Sequence, residues 1–355
     1  MRRCKLWLAA AVLVGFLAVD AAAAPLDLGA VGGDAVWLMH VDMDAARDST
    51  VLRRMHDRAM ALHPQLEGMF KAGAAMTGID PRRDVRDMTA WGADTDKKNG
   101  VLVVRSKVNR RLLENMVEKA RDHRTMEHRG RTVHSWMQAH GKHRKREPVS
   151  GAFFADDVMV FARTAERVAR AIDVLDGAAP GLSAESPLAG RVRPGSIMVA
   201  RAAEVDPETK CPVLRQGRSF RVALGERDGK SFYRAKLDMK SAEAAELADD
   251  VVEGMAAVGR LRFGGEADVL KLIDGLDTGT RDGTCMISWD ADADDVWRVA
   301  ERMSAAWERR QREGKASGCP MCGDDGCDDC GKCPVEKGGR DAGGVAEGPL
   351  RDDEF

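Results

Sequence analysis

Short apolar segments that lead through a polar hinge into an amphipathic helix recur along this chain, and they limit the folds it can adopt. In the first, residues 36–41 run into Asp42, and helical spacing of apolar residues begins near Ser49. Asn109, Thr164 and Ser241 precede three later helical patterns, where their side chains can cap free backbone N–H groups. Strand and helix patterns therefore alternate in one chain, which predicts an α+β protein.

Tight turns connect several of the strand patterns. Asp228-Gly229 separates two runs of alternating apolar residues, and Asp156-Asp157 stands between residues 151–155 and 158–162. Hairpins of this kind produce antiparallel pairing. We therefore predict curved antiparallel sheets with helices packed on one face. Similar strand-to-helix junctions in both halves suggest two related lobes, residues 24–205 and 206–313, followed by a tail at 314–355.

Motifs of the common enzyme classes are missing from the sequence. No G-x-G-x-x-G follows a strand, and neither a P-loop nor a G-x-S-x-G elbow occurs. The acidic run at Asp290, Asp292, Asp294 and Asp295 lacks the Gly and Glu of a calcium loop, and helix capping explains it better. The sequence favours a non-enzymatic binding or scaffold role, although convergent groups in a cleft would indicate an enzyme.

The N-terminus has the three regions of a secretory signal peptide. Arg2, Arg3 and Lys5 precede an apolar run at residues 6–19, which is shorter than the roughly 20 residues of a spanning helix. Ala21 and Ala23 satisfy the small-residue cleavage pattern, so we expect cleavage after Ala23. The mature chain is then periplasmic or secreted, and no later segment is apolar enough for a stable membrane span.

A basic segment covers residues 121–146, where eight Lys or Arg residues stand against Asp122 and Glu127. Clustered cations raise the local potential and attract anions. We therefore predict an anion-binding patch for a component of the cell envelope, although a solvated hairpin loop explains the same charges. His140 and His143 are an alternative metal pair without a third ligand. Nucleic acid is not expected, because aromatic residues are sparse. The patch comprises Arg129, Arg131, Lys142, His143, Arg144, Lys145 and Arg146.

The tail contains five cysteines within fifteen residues, in a stretch with little apolar content. Cys319-x-x-Cys322-Gly and Cys327-x-x-Cys330-Gly resemble zinc or rubredoxin knuckles, and four thiolates form a tetrahedral zinc site. Cys333 would be a spare thiol. Disulfides are the alternative in an oxidising compartment, and thiol redox exchange through the C-x-x-C pairs is another. A disulfide between Cys211 and Cys285 is also compatible with the sequence.

Three stretches of the first half carry a family resemblance, namely residues 41–47, T-G-I-D-P at 77–81 leading to T-A-W-G at 89–92, and G-R-T-V-H-S-W at 130–136. Together they resemble a loosely defined group of uncharacterised exported proteins from planctomycete-like bacteria. The resemblance covers roughly residues 33–200. It implies export and an α+β fold, and it brings no activity or site residues.

Overall fold

A single antiparallel sheet of twelve strands dominates the computed structural model, which describes residues 26–140 and 145–316. The strands are β1 (Trp37–Asp42), β2 (Val85–Gly92), β3 (Val101–Ser106), β4 (Arg124–His128), β5 (Arg131–His140), β6 (Lys145–Ala155), β7 (Val158–Ala162), β8 (Ser196–Ala202), β9 (Gly217–Arg227), β10 (Lys230–Met239), β11 (Leu276–Arg281) and β12 (Thr284–Asp292). Their order in the sheet is β11-β12-β10-β9-β8-β1-β2-β3-β7-β6-β5-β4.

Nine α-helices accompany this sheet within the described residues. They are α1 (Met43–Asp48), α2 (Thr50–Leu62), α3 (Gln65–Thr77), α4 (Arg110–Glu118), α5 (Ala165–Leu175), α6 (Pro212–Arg215), α7 (Ala242–Arg262), α8 (Ala267–Asp274) and α9 (Ala293–Ala316). The predicted α+β class with antiparallel pairing is confirmed. None of these helices is both long and apolar enough to cross a bilayer.

Helix starts lie where the sequence predicts them. Ser49 accepts a hydrogen bond from the N–H of Leu52 at 3.2 Å, so α2 begins with a side-chain cap. Asn109, Thr164 and Ser241 cap α4, α5 and α7 in the same way. Each cap satisfies one of the N–H groups that a helix leaves unpaired at its N-terminus.

The β9–β10 hairpin turns at the predicted Asp228-Gly229 pair. Asp228 has a φ of 51° and Gly229 a φ of 73°, the left-handed values that a two-residue type I′ turn requires. This turn fixes the register of the hairpin, in which Arg221 faces Lys236 and Val222 faces Ala235. Side chains alternate between the two faces of a strand, so the basic and the apolar residues separate.

Hydrophobic clusters pack on both faces of the sheet. Leu38, Val103 and Val160 pack with Ile172 of α5 on one face. Ala235 and Leu237 of β10 instead pack with Ala245 and Ala248 of α7. Leu38 lies opposite Arg201 in the β1–β8 register, so both side chains are on the same face of the sheet. On strands β8–β10, the face opposite α7 is therefore the same face of the sheet that α5 covers over the strands near β1. The face of β8–β10 opposite α7, which that helix leaves free, carries Arg201, Arg221 and Lys236.

Among the described residues the chain divides into two units, one that ends at Arg302 and one that begins at Met303, and the whole sheet belongs to the first. The expected boundary between two lobes falls between β8 and β9, which are hydrogen-bonded neighbours. The division into related lobes stays a prediction.

Candidate functional site

A row of cations crosses the free face of β8, β9 and β10. Arg201 on β8 lies opposite Arg221 on β9, and Arg221 lies opposite Lys236 on β10. Opposite residues on one face of an antiparallel sheet have Cβ atoms about 5 Å apart. Like charges in this arrangement repel one another, so the row raises the energy of the free protein. It also creates a strongly positive strip.

Arg201 is the buried member of the row, with 5% of its surface exposed. Its Nη1 donates to the carbonyl oxygens of Leu188 at 2.7 Å and Gly190 at 3.1 Å, and its Nη2 donates to that of Arg191 at 3.2 Å. Burial lowers the pKa of Arg201, and the charge of Arg221 lowers it further. A guanidinium nevertheless keeps its proton in proteins, so Arg201 is a buried cation held by neutral carbonyls.

Gly190 faces both guanidinium groups of the pair. A Cβ atom built on Gly190 would lie 3.8 Å from Nη1 of Arg201 and 3.8 Å from Nη1 of Arg221. The two nitrogens are therefore at most 7.6 Å apart, twice that distance. Gly190 has a φ of 136°, which L-residues rarely adopt. The glycine lets the backbone turn close above the two cations.

Two more arginines form the rim of this cleft. Arg193 lies over the ring of Phe232, with 4.6 Å between the guanidinium carbon and the ring centroid. Arg234 donates to the carbonyl of Trp289 at 2.7 Å and pairs with the carboxylate of Asp290. These contacts hold the side chains in place, and Asp290 neutralises part of the rim charge.

The basic cleft, as we call this depression, has a volume of about 250 Å³. Its charged lining residues are Arg191, Arg193, Arg201, Arg221, Arg234 and Lys236. Among the described residues, no acidic side chain lines it. Asp238 lies nearby; burial opposes its ionisation, but hydrogen bonds from Ser219 and Thr284 and the charges of Arg221 and Lys236 together lower its pKa. The cleft therefore has an excess of positive charge that an anion would neutralise.

A second polar cluster is buried between β1 and β2. Asp42 lies opposite Asp87 in the register, and 2% and 1% of their surfaces are exposed. Burial raises the pKa of both carboxyls, while Arg105, 3.3 Å from Asp87, opposes the rise at Asp87. His40 donates to or accepts from the hydroxyl of Thr89 at 2.9 Å. These groups lie within the sheet and do not line the basic cleft, so we assign them a structural role.

The anion patch predicted at residues 121–146 is described in part. Arg129 pairs with Asp173, and Arg131 donates two hydrogen bonds to Asp176 at 2.9 and 3.0 Å. These carboxylates neutralise the two arginines, whereas Arg146 is exposed. Lys142, His143 and Arg144 lie outside the described residues, as does the side chain of Lys145. The patch as a whole stays a prediction.

The predicted tail site, Cys319, Cys322, Cys327 and Cys330 with Cys333 as a spare, also lies outside the described residues. Zinc binding, disulfides and redox exchange all stay predictions for it. Within residues 26–140 and 145–316, no group of three or more metal-ligating side chains converges. Cys211 is exposed, Cys285 is buried, and both are free thiols. The predicted disulfide between them is therefore wrong.

The sequence pattern of the β9–β10 hairpin already places the cations on one face. Phe220, Val222 and Leu224 alternate along β9, which leaves Arg221 on the opposite face. The strand prediction rests on the apolar residues of this alternation, and it does not single out the cations between them as a site. No local sequence pattern indicates that Arg201 or the segment around Gly190 lies beside Arg221, because that proximity depends on the order of the strands.

Comparison with known proteins gives few matches. No protein-family model matches this chain, and no curated protein matches it either. Solved structures that are similar include crystal forms of TP0453, a Treponema protein, each with 10% sequence identity. Form III has a TM-score of 0.41 and covers 79% of this chain and 99% of that chain. Form IV has a TM-score of 0.41 with 81% and 99% coverage, and form I has 0.39 with 78% and 97%.

Proposed function

We propose that this protein is a binding protein for small, multiply charged anions, and that the basic cleft is its binding site. The observation that carries the proposal is the buried guanidinium of Arg201 beside Arg221. Burying a cation is costly unless an opposite charge accompanies it. Arg201 has three carbonyl partners and, within the described chain, no carboxylate within 4.0 Å. An anion in the cleft would supply the missing charge.

The geometry suits an anion with several oxygen atoms, such as phosphate or sulfate. Guanidinium groups present N–H donors in a rigid fork that matches such oxygens, and charge-assisted hydrogen bonds are about twice as strong as neutral ones. Arg221 and Lys236 are exposed, so an anion can reach them from solvent. Binding without chemistry is the simpler proposal, since no carboxylate, histidine, thiol or hydroxyl side chain lines the described cleft.

Titration calorimetry of the full-length chain with inorganic phosphate at low ionic strength tests this proposal. We expect Arg221→Ala to weaken phosphate binding by about tenfold, the effect of losing one charge-assisted hydrogen bond. Arg227→Ala is the matched control, because Arg227 lies on the same strand and pairs with Asp228 outside the cleft. Absence of phosphate binding, or equal losses in the two variants, would contradict the proposal.

Two other proposals rest on the sequence alone. We propose that the chain is exported and processed after Ala23, and that the tail thiolates hold one zinc ion. The alternative for the tail is disulfide formation or thiol redox exchange, which uses the same sulfur atoms. Two C-x-x-C-G knuckles support the zinc proposal. They lie in a segment with few apolar residues, so a bound metal would have to supply the stability that a hydrophobic core cannot.

A further inference from the structure

A second depression adjoins the basic cleft on the same face of the sheet. It has a volume of about 300 Å³ and shares Arg234, Ala235 and Lys236 with the basic cleft. The rest of its lining comes from β11 and β12 and includes Asp277, Gly279 and Ser288 beside the apolar Met286 and Ile287. We call it the polar compartment. Strand β10 forms the ridge between the two depressions.

Strand register explains why the two compartments differ in charge. Arg234 lies opposite Ser288 on β12, and Ser288 lies opposite Asp277 on β11. One row across the sheet therefore runs from a cation through a hydroxyl to a carboxylate. From β10 to β11 this row spans two strand spacings, roughly 10 Å.

The polar compartment has groups that suit hydroxyls, and Asp277 offsets part of the positive charge of Arg234 and Lys236 there. Ser288 donates to Asp277 at 3.4 Å, a long hydrogen bond that leaves most of the acceptor capacity of the carboxylate available. A carboxylate repels anionic groups and accepts hydrogen bonds from neutral donors. Space is available too, because a Cβ on Gly279 would meet nothing within 4 Å.

Resting on the proposed anion binding, we infer that the ligand is a phosphorylated polyol or sugar that occupies both compartments. Its phosphate lies in the basic cleft, against Arg221, Arg234 and Lys236. Its hydroxyl groups extend over the β10 ridge and donate to Asp277, while Ser288 can donate to or accept from them. The same chemistry occurs in a free sugar phosphate and in the polyol phosphate headgroup of a lipid.

Calorimetry with glucose 6-phosphate, inorganic phosphate and glucose on the full-length chain tests the inference. We expect glucose 6-phosphate to bind at least about tenfold more tightly than phosphate, and glucose alone to bind far more weakly than either. Asp277→Asn and Gly279→Val should remove the advantage of the sugar phosphate without weakening phosphate binding. The first removes the charged acceptor, and the second fills the polar compartment.

The outcomes separate this inference from the proposed function. If phosphate binds and depends on Arg221, but glucose 6-phosphate binds no more tightly, the inference is overturned and anion binding stands. If neither ligand binds and vesicles do not either, both are overturned. Sedimentation with phosphatidylglycerol vesicles that is lost in Asp277→Asn would support the inference with a lipid headgroup as the source of the polyol phosphate.

Discussion

Arg201 and Arg221 lie opposite each other on neighbouring strands, with Nη1 of each 3.8 Å from the position of a Cβ on Gly190. Two cations in register on one face of a sheet repel each other. The fold keeps them there through the carbonyl oxygens that hold Arg201 and through the solvent exposure of Arg221. This relationship makes the pair the centre of the proposed anion site.

Arg201 and Arg221 should respond differently to removal of their charge. In Arg201→Met the carbonyl oxygens of Leu188, Gly190 and Arg191 lose their donor, so we expect the free energy of unfolding to fall by about 2 kcal/mol. Arg221→Met should change it by less than about 0.5 kcal/mol, because Arg221 is exposed. Both should weaken phosphate binding. Urea unfolding and calorimetry measure the two effects, and equal stability losses would contradict the role given to Arg201.

Gly190 should be intolerant of a side chain for reasons of backbone conformation. At a φ of 136°, Gly190→Ala should destabilise the protein by about 1–3 kcal/mol and weaken phosphate binding, because the cleft wall would move. Gly254→Ala is the matched control. It lies within α7, where a Cβ meets nothing within 4 Å, and should stabilise the protein by about 0.5–1 kcal/mol. Thermal unfolding that shows the same direction for both variants would contradict this account.

The buried Asp42–Asp87 pair predicts a distinctive pH dependence. Burial raises the pKa of both carboxyls in the folded state above the ordinary value of 3.8. The folded state therefore binds protons more tightly than the unfolded state, and this contribution to stability is present at low pH and lost as pH rises through the raised pKa.

Asp87→Asn isolates this effect from the other carboxyls of the chain. As pH rises from about 4 to 8, the free energy of unfolding of the wild type should fall relative to that of the variant. Denaturant titrations at several pH values on both proteins provide the comparison. If the difference in unfolding free energy between the two proteins stays constant with pH, or changes in the opposite direction, burial does not control the pKa of Asp87.

Local signals in the sequence predicted much of the fold and little of the site. The caps at Ser49 and Asn109 and the turn at Asp228-Gly229 depend on neighbouring residues, so they could be identified without a structure. The order of the twelve strands depends on contacts between distant segments. Because the cleft needs β8 beside β9 and α7 on the opposite face, its position could not be derived from local patterns.

The cysteine tail gives a prediction that is independent of the cleft. If Cys319, Cys322, Cys327 and Cys330 hold zinc, protein purified without chelator should contain one zinc per chain, and Cys322→Ser should abolish it. Cys211→Ser is the matched control, because Cys211 is an exposed thiol outside the tail. Elemental analysis and thiol counting under denaturing conditions measure both quantities. A metal-free protein with oxidised tail cysteines would favour the disulfide alternative.

Locating a bound anion tests the proposed cleft most directly. Crystals of the full-length chain grown with tungstate, a phosphate-like oxyanion, should show an anomalous scattering peak within hydrogen-bonding distance of Arg221 and Lys236. The peak should disappear in Arg221→Ala crystals grown under the same conditions. An empty cleft in the wild type, with the oxyanion bound elsewhere or not at all, would contradict the assignment of this cleft as the anion site.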